Sequence, residues 1–298
     1  MITRVIILNY NTADLTLQCV DYIRQQEDEL THIVVVDNGS TKEHCQILEE
    51  SLPCSVKLIK IHNNIGFSAG NNRGCGKIGG LPDADYYLFI NSDAFLTQAN
   101  SIQELRNELA KESKAVAISP LIHTVSNSTP VRLQIQVRRV IAPGWLIVCQ
   151  SPILRRLPFF KQRYLRFIYN DLVPYQEKVY RTDSINGAVF MVKAEFMHRI
   201  NLLDEGTFLY LEELILGEQV QRLNKVCLLH GGVIVPHLQG ASSGSKQGEN
   251  AKKSFYFFID SEAYLLRKYH NFSEWALSVI RRIRLFEFAI KSLLYRFK

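Results

Sequence analysis

Residues 4–40 read RVIILNYNTADLTLQCVDYIRQQEDELTHIVVVDNGS, and this stretch decides the fold. Two short apolar runs, RVIIL and IVVV, flank a segment at 14–25 whose apolar residues recur at helical spacing. A second helical segment at 44–51 and a strand-like run at 56–61 continue the alternation. Strands separated by helices of this length form right-handed β-α-β units. The sequence therefore predicts an α/β fold with a mostly parallel central sheet flanked by helices.

Polar segments follow three of the predicted strands, at 9–12, 37–41 and 91–93. In an open α/β sheet, ligands bind beyond the carboxyl ends of the strands, which is where these segments would lie. Neither G-x-G-x-x-G nor G-x-x-x-x-G-K-[ST] occurs in the chain, which argues against a dinucleotide-binding motif and a P-loop. A nucleotide would have to be bound by other means.

The composition is that of a globular protein, because 47% of the 298 residues are hydrophobic and 21% are charged. The six cysteines include no C-x-x-C pair, which disfavours a zinc site and a disulfide framework and predicts reduced thiols. The sequence shows no signal-peptide pattern and no long uncharged apolar run, so a cytoplasmic location is expected. No nucleic-acid reading motif is recognisable, and no nucleic-acid partner is expected.

Asp93 follows YLFIN at 87–91, which reads as a buried strand. Hard divalent cations such as Mg²⁺ and Mn²⁺ prefer carboxylate and phosphate oxygens, and commonly take one or two protein carboxylates beside a nucleotide diphosphate. Asp93 is therefore a candidate metal ligand. The alternative is a carboxylate that only caps the turn after the strand.

Asp37 stands at the end of another apolar run, in the segment DNGST. Its carboxylate could accept a hydrogen bond from a pyrimidine N–H, and the following residues could bring backbone N–H groups near a ribose or phosphate. An Asx turn that caps the next helix is an equal alternative. The segment NNIGFSAGNNRG at 63–74 combines glycines and amides before a predicted helix, a composition that permits close approach to a ligand.

Together these motifs resemble those of family 2 glycosyltransferases, in particular their bacterial rhamnosyltransferase-like branch. The matching segments are, in chain order, VIILNYN at 5–11, VVDNGST at 35–41, NIGFSAGNNRG at 64–74, NSD at 91–93, NGA at 186–188, EE at 212–213 and HLQGAS at 237–242. The resemblance implies a GT-A catalytic domain at 1–245. Its nucleotide-binding half would be 1–120 and its acceptor-binding half 121–245, followed by a helical extension at 246–298.

The resemblance also implies roles for individual residues. Asp37 would contact the nucleobase, Asp93 would hold Mg²⁺ or Mn²⁺, and a carboxylate at 212–213 would be the base. Such a base agrees with the chemistry, because an inverting transfer needs a carboxylate on the acceptor side of the anomeric carbon while the diphosphate leaves from the other side. The further expected donor contacts are Asn9, Asn11, Asn38, Asn64, Gly66, Asn71, Asn91 and Ser92, and the expected acceptor contacts are Arg181, Asp183, Asn186 and Gly187.

Glu212 and Glu213 begin a predicted helix, where the helix dipole favours acidic residues without any catalytic role. The family pattern is usually Glu-Asp followed two residues later by another Asp, and those last two positions are Glu213 and Ile215 here. The choice between the two glutamates stays open, with Glu213 preferred by position. His237 follows a strand-like run and is a candidate for the metal or the diphosphate, the alternative being a structural imidazole.

The C-terminal residues 276–297 have apolar side chains at helical spacing with basic residues between them. This pattern is typical of an amphipathic helix that lies on an anionic membrane surface. Peripheral attachment to the inner face of the cell membrane would suit a lipid-diphosphate-linked acceptor. A helix that docks on the core or on a second subunit is the equal alternative.

The sequence thus predicts a metal-dependent, inverting glycosyltransferase that uses a dTDP- or UDP-sugar, with dTDP-rhamnose among the candidates. The acceptor would be a glycan or a lipid-linked saccharide in the synthesis of a bacterial surface polysaccharide such as O-antigen or capsule. A catalytically silent sugar-nucleotide or glycan-binding module is the alternative, favoured by Ile215 in place of an acidic residue. A nucleotidyltransferase is disfavoured, because no basic glycine-rich phosphate loop lies near the N-terminus.

Overall fold

The computed structural model describes residues 1–26, 28–126, 129–133, 135–238 and 248–296. The strands are β1 Thr3–Asn9, β2 Thr31–Asn38, β3 Lys57–Ile61, β4 Tyr86–Asn91, β5 Ala115–Ser126, β6 Thr129–Leu133, β7 Val179–Thr182, β8 Val189–Lys193 and β9 Val226–His237. The helices are α1 Ala13–Arg24, α2 Lys42–Ser51, α3 Phe67–Asn72, α4 Ser101–Lys111, α5 Pro143–Gln150, α6 Pro158–Phe167, α7 Ala194–Arg199, α8 Glu212–Arg222, α9 Gly248–His270 and α10 Glu274–Arg296.

The strands form one sheet in the order β3-β2-β1-β4-β8-β5-β9-β7, with β6 paired to β5. The four strands β1 to β4 are parallel, and β8 is inserted antiparallel between β4 and β5. β9 is parallel to β5, so β1–β5 and β9 run in one direction and β6–β8 run in the other. The predicted α/β fold with a mostly parallel sheet is confirmed.

The sheet is covered on both faces, which explains the continuous apolar runs in its strands. In β1, Val5 and Ile7 face one core and Ile6 faces the other, and all three are fully buried. Cys19 and Val20 of α1 pack in the first core. Burying a Val or Ile side chain stabilises the fold by roughly 1.5–3 kcal/mol, so these short strands contribute a large part of the stability.

Residue 120, the predicted boundary between two halves, lies within β5. β5 pairs with β8 and β9, and the same sheet includes β1–β4, so strands from both sides of that boundary share hydrogen bonds. The division of 1–245 into two halves and a separate extension at 246–298 stays a prediction.

Helix α10 has two different faces. Its inner face packs on α9 through Arg284, whose guanidinium lies 2.6 Å from Glu262 Oε1 and 3.0 Å from Glu287 Oε2, with all three side chains buried. Its outer face exposes apolar side chains, including 77% of Trp275 and 67% of Phe286. Within the residues that the structure covers, no helix combines the length and the apolar character needed to cross a bilayer.

Candidate functional site

The carboxyl ends of β1 and β2 are joined by the side chain of Asn9. Its Nδ2 donates to Asp37 Oδ1 at 2.7 Å and to Ser40 Oγ at 3.0 Å, and its Oδ1 accepts from Thr12 Oγ1 at 3.1 Å and from Thr16 Oγ1 at 2.8 Å. Asn9 is fully buried, and these contacts occupy both ends of its amide. Asn9 therefore positions Asp37, rather than contacting a ligand itself.

Asn11 and Ser92 complete this cluster. The Oδ1 of Asn11 accepts from the backbone N–H of Thr41 at 2.8 Å, which fixes the loop after β2. The hydroxyl of Ser92 lies 2.8 Å from that of Thr12 and links the end of β4 to the end of β1. The predicted donor residues from three strands therefore meet at one edge of the sheet.

The glycine-rich loop 63–66 is held against β2 by Asn38. Its Nδ2 donates to Asn64 Oδ1 at 3.1 Å and to the Gly66 carbonyl at 3.0 Å, and its Oδ1 accepts from the Ile65 N–H at 3.1 Å. Gly66 has φ +92°, and an added Cβ would lie 2.6 Å from the carbonyl oxygen of Phe208. Glycine is required here by both the backbone conformation and the close approach.

Helix α3 follows this loop and places the two remaining amides. Asn71 is buried and donates through Nδ2 to the Phe67 carbonyl at 3.0 Å, whereas its Oδ1 is buried without a hydrogen-bond partner among the described residues. Asn72 donates to the Leu203 carbonyl at 2.8 Å and to Glu205 Oε1 at 2.9 Å. The donor loop is thus tied to the segment that leads into α8.

Asp93 and His237 form the candidate metal centre. The segment after β4 runs antiparallel to the end of β9, with Leu238 N donating to the Asp93 carbonyl at 2.9 Å and an isolated bridge between Ala94 and His237. This pairing brings His237 Nε2 to 3.0 Å from Asp93 Oδ1, with both side chains buried. The contact joins two residues 144 positions apart that the sequence analysis had both named as candidates for the metal.

The chemistry of this pair fits a divalent cation. A carboxylate oxygen and an imidazole nitrogen are both ligands of Mn²⁺-type ions, and they converge here at the carboxyl edge of the sheet. The Nδ1 of His237 is buried and has no hydrogen-bond partner in the described part of the chain. Among the described residues, no group of three or more His, Cys, Asp or Glu side chains is close enough together to hold a metal ion. A cation at Asp93 and His237 would therefore need oxygens from a bound ligand to complete its coordination.

Glu213 lies near the same edge of the sheet, and we call the region between Glu213 and the Asp93–His237 pair the crevice, with one wall at each. The backbone N–H of Asn91 donates to the Ala188 carbonyl at 2.9 Å, which places the Gly187–Ala188 turn beside the end of β4. An added Cβ on Gly187 would lie 2.8 Å from Glu213 Oε1, and Arg138 Nη1 lies 4.0 Å from Glu213 Oε2. The carboxylate remains partly exposed and can reach a ligand from solvent.

Glu212 occupies a different environment from Glu213. Burial first, and the neighbouring charge of Glu213 second, raise the pKa of Glu212 to about 8. Its Oε1 is buried without a hydrogen-bond partner among the residues described. At neutral pH Glu212 is therefore largely protonated, and Glu213 is the better-placed proton acceptor of the two.

The predicted acceptor residues are not all brought to this crevice. Gly187 is, and Asn186 lies beside it, with its Oδ1 accepting from Ala188 N at 3.0 Å and its Nδ2 donating to the Ile135 carbonyl at 3.3 Å. Asp183 accepts from Val140 N at 3.1 Å and so braces the segment that carries Arg138. Asn91 contributes backbone contacts at the centre of the crevice.

Arg181 lies at the other end of the sheet. Arg181 pairs with Leu228 near the start of β9. On the neighbouring strand β5, Leu228 pairs with Ile118 and His237 pairs with Thr124. These two positions of β5 are six residues apart, which is about 20 Å at the rise of a strand. Its guanidinium is exposed and bonds to Glu112. Because β7 runs antiparallel to β9, Arg181 is carried away from the crevice, and the structure does not support its expected acceptor contact.

Sequence reasoning missed two residues of the site. Arg138 falls in the basic stretch after residue 120, where no motif marks which arginine faces the crevice. Asn72 stands in the glycine-rich motif, but its bond to the Leu203 carbonyl joins residues 131 positions apart. Residues 239–242 of the matching segment HLQGAS lie outside the described residues.

Solved structures share this fold. A structure of GalNAc-T7 with UDP, GalNAc and Mn²⁺ aligns with a TM-score of 0.62 and 18% identity over 95% of this chain and 54% of that one. The mannosyltransferase PcManGT from Pyrobaculum calidifontis, in complex with GDP-Man and Mn²⁺, aligns with a TM-score of 0.57 and 16% identity over 89% of this chain and 64% of that one. The fold is the GT-A fold of these glycosyltransferases.

Two curated relatives are similar in sequence. An N-acetylglucosaminyl-diphospho-decaprenol L-rhamnosyltransferase of Mycobacterium tuberculosis is 23% identical over 236 residues, which cover 76% of this chain and 74% of that protein. The glycosyltransferase GlyA of Streptococcus pneumoniae is 28% identical over 115 residues, which cover 38% of this chain and only 16% of that protein.

The family model described as glycosyl transferase family 2 matches residues 4–184, which include β1–β5, the donor edge and Asp93. Several of the described residues that suggested this family in the sequence, among them Asp37, Asp93 and Glu213, lie around the crevice. The chain belongs to glycosyl transferase family 2.

Proposed function

We propose that this glycosyltransferase is an inverting, metal-dependent enzyme in which Asp93 and His237 hold the cation and Glu213 is the base. The observation that carries the proposal is the placement of Glu213 across the crevice from the Asp93–His237 pair, connected through the Asn91–Ala188 hydrogen bond. One wall thus offers ligands for a cation and a diphosphate, and the other offers a proton acceptor.

The proposed reaction uses these walls in sequence. The acceptor hydroxyl attacks the anomeric carbon from the side of Glu213, which takes the hydroxyl proton as the new C–O bond forms. The bond from the anomeric carbon to the donor phosphate oxygen breaks on the opposite side, and the nucleoside diphosphate leaves with that electron pair. A bound Mg²⁺ or Mn²⁺ would supply charge neutralisation for the diphosphate.

The donor edge supports a nucleotide sugar, with dTDP- and UDP-sugars as the proposed donors. Asp37 would accept from the base, and its position is fixed by Asn9 before any ligand binds. A lipid-diphosphate-linked saccharide, used in bacterial surface polysaccharide synthesis, is the proposed acceptor. The name of the mycobacterial relative describes an acceptor of that kind, which favours this class.

Nucleoside diphosphate release from a panel of UDP-, dTDP- and GDP-sugars tests the proposal. The wild type is assayed with Mn²⁺ or Mg²⁺, with EDTA, and with a lipid-linked acceptor extract. Release that requires both cation and acceptor, and that is lost in Asp93→Ala and Glu213→Gln, would support it. Arg24→Gln, an exposed substitution on α1, is the control and should keep full activity.

A catalytically silent binding module remains the competing function, because Ile215 stands where the family usually has an acidic residue. It predicts donor binding without turnover, even with a competent acceptor. Donor binding by calorimetry, run beside the release assay, separates the two. Tight binding by the wild type with no release from any donor would contradict the enzymatic proposal.

The outer face of α10 supports peripheral binding to an anionic membrane. Its exposed apolar side chains recur at a helical spacing at Trp275, Val279, Ile283 and Phe286, and the exposed Arg282 lies between them. A helix with exposed apolar and basic groups side by side binds the interface of an anionic bilayer. The inner face is not available for this purpose, because Arg284 holds it on the core.

Liposome sedimentation tests this attachment with point variants in the full chain. Truncating α10 is unsuitable, because it would leave Glu262 as a buried carboxylate without Arg284. Trp275→Ser with Phe286→Ser should lose most binding to vesicles that contain anionic lipid. Leu30→Ser, an exposed apolar residue in the turn before β2, is the matched control. Equal sedimentation of the double variant and the wild type would refute the membrane role of α10.

A further inference from the structure

A cavity of about 530 Å³ lies between α5, α6 and the segment before α5. Three arginines, Arg139, Arg163 and Arg166, line it together with Trp145 and a single acidic side chain, Asp171. We call this cavity the arginine pocket. None of these residues takes part in the proposed transfer, so the pocket needs an explanation of its own.

The charges of the arginine pocket are unbalanced. Arg139 Nη2 is paired with Asp171 Oδ2 at 3.0 Å, and its guanidinium stacks 3.8 Å over the ring of Tyr169. Arg163 is exposed, and its Cζ lies 4.4 Å from the centroid of the Trp145 ring. The exposed guanidinium of Arg166 has neither a hydrogen bond nor an ion pair within the described chain. Two cations are therefore left for an anion, and planar guanidinium groups suit phosphate oxygens.

An apolar path leads out of the pocket. The rings of Trp145 and Phe160 pack edge to face with their centroids 6.2 Å apart, and the centroids of Phe160 and Phe159 are 5.1 Å apart. Phe159 is 79% exposed, and the neighbouring Leu157 is 45% exposed. A soluble anion would gain nothing from this row of rings. A ligand that joins a phosphate group to an apolar chain would use both features.

The pocket also lies on the acceptor side of the crevice. Arg139 directly follows Arg138, whose guanidinium is 4.0 Å from Glu213. Leu146 and Cys149 of α5 pack in one cluster with Leu214 of the catalytic helix α8. A diphosphate in the pocket would therefore be held by a segment and a helix that adjoin Glu213 and α8.

We infer that the arginine pocket binds the acceptor through a diphosphate group that joins the acceptor saccharide to an apolar chain. The chain lies along Trp145, Phe160 and Phe159. This inference deepens the proposed function and rests on it for the identity of the acceptor. Binding to the arginine pocket does not require catalysis, so this inference and the proposed function can fail separately.

The test uses Trp145 as a reporter. The chain has two tryptophans, so Trp275→Phe on the exposed face of α10 leaves Trp145 alone. This variant is titrated with farnesyl diphosphate, farnesol or inorganic pyrophosphate in EDTA, which suppresses cation-dependent binding at the Asp93–His237 edge. A saturable change in Trp145 fluorescence is expected with farnesyl diphosphate, at a concentration at least about 10-fold below that for either fragment.

The two fragments distinguish the sources of the signal. Equal affinity for pyrophosphate would mean a site for free phosphate groups, and equal affinity for farnesol would mean apolar partitioning alone. Either result would overturn the inference, as would the absence of a saturable response to farnesyl diphosphate.

Arg166→Gln, added to the single-tryptophan variant, should weaken farnesyl diphosphate binding by about 10-fold, because a charge-assisted contact is lost. Arg24→Gln in the same background is the matched control, and an equal loss in both would contradict the assignment. In the transferase assay, Arg166→Gln should raise the KM for a diphosphate-linked acceptor and leave the KM for the sugar nucleotide unchanged. If farnesyl diphosphate binds but no sugar nucleotide is turned over, the inference about the pocket is supported and the proposed transferase activity is contradicted.

Discussion

At the donor edge, the polar side chains are buried and bonded to one another, whereas across the crevice the charged side chains are partly exposed and make few such bonds. Asn9 and Asn38 each make several hydrogen bonds to groups of neighbouring loops. Arg138 and Glu213 approach each other only to 4.0 Å. The first wall is set before a ligand arrives, and the second depends on its ligand for partners. Substitutions should therefore affect stability on the first wall and turnover on the second.

The largest expected effect is on turnover, in Glu213→Gln. Removal of a general base lowers kcat by about 10²- to 10⁴-fold, and the melting temperature should stay near that of the wild type, because Glu213 is partly exposed. Steady-state kinetics with saturating donor and acceptor measures it. Glu212→Gln is the matched variant and should lose less than about 10-fold, since no proton transfer is removed. The reverse order of losses would assign the base to Glu212.

The second effect is on stability, in Asn9→Ala. Loss of a fully buried amide removes one hydrogen bond each from Asp37, Ser40 and Thr16, and should lower the free energy of unfolding by about 2–4 kcal/mol. Urea denaturation gives the value. Arg138→Ala on the opposite wall should change it by less than about 0.5 kcal/mol. Equal losses in the two variants would remove the contrast between the walls.

The third effect is the pH dependence of stability that Glu212 produces. Its pKa is raised to about 8 in the folded protein from 4.5, so the folded state holds the proton more tightly than the unfolded chain. The resulting stability is fully present below about pH 4.5 and is lost as the pH rises through about 8. Between those two pH values, the free energy of unfolding should fall by about 1.4 kcal/mol per pH unit at most.

Glu212→Gln cannot ionise, so its stability relative to the wild type should increase from pH 5 to pH 9. Urea denaturation at several pH values measures the difference. Glu43→Gln, in the exposed first turn of α2, is the control and should follow the wild type. A constant difference between Glu212→Gln and the wild type over this range would show that Glu212 is not the buried titrating group.

The smallest effect is expected from Gly187→Ala. The added Cβ would lie 2.8 Å from Glu213 Oε1 and would displace that flexible carboxylate, so kcat should fall about 10-fold while the melting temperature changes little. Gly144→Ala is the control, because its Cβ would have no neighbour within 4 Å. Equal kcat values for the two variants would show that Gly187 does not set the position of Glu213.

The two walls also differed in how well the sequence predicted them. The donor edge follows from short motifs at strand ends, because parallel strands bring their carboxyl ends together whatever the loops do. The acceptor wall depends on which side of a strand each residue lies and on contacts between distant segments. Arg181 shows this, since its position along β7 could not be known before the antiparallel pairing with β9 was seen. For the same reason, the sequence could not show which arginine of the basic stretch, Arg138, lies beside Glu213.

The hydrogen bonds between the donor loop and the segment 203–208 have a consequence for how the two substrates affect each other's affinity. Phe67 N donates to the Phe208 carbonyl at 2.9 Å, and Asn72 bonds to the Leu203 carbonyl, so the donor loop is bonded to the stretch of backbone that leads into α8 and the proposed base Glu213. If acceptor binding also depends on this stretch, any free energy by which the sugar nucleotide fixes it also appears in the acceptor affinity, by the same factor in both directions. Such coupling is the same whichever ligand binds first, so a substitution of Asn72 that breaks this connection should change both affinities together.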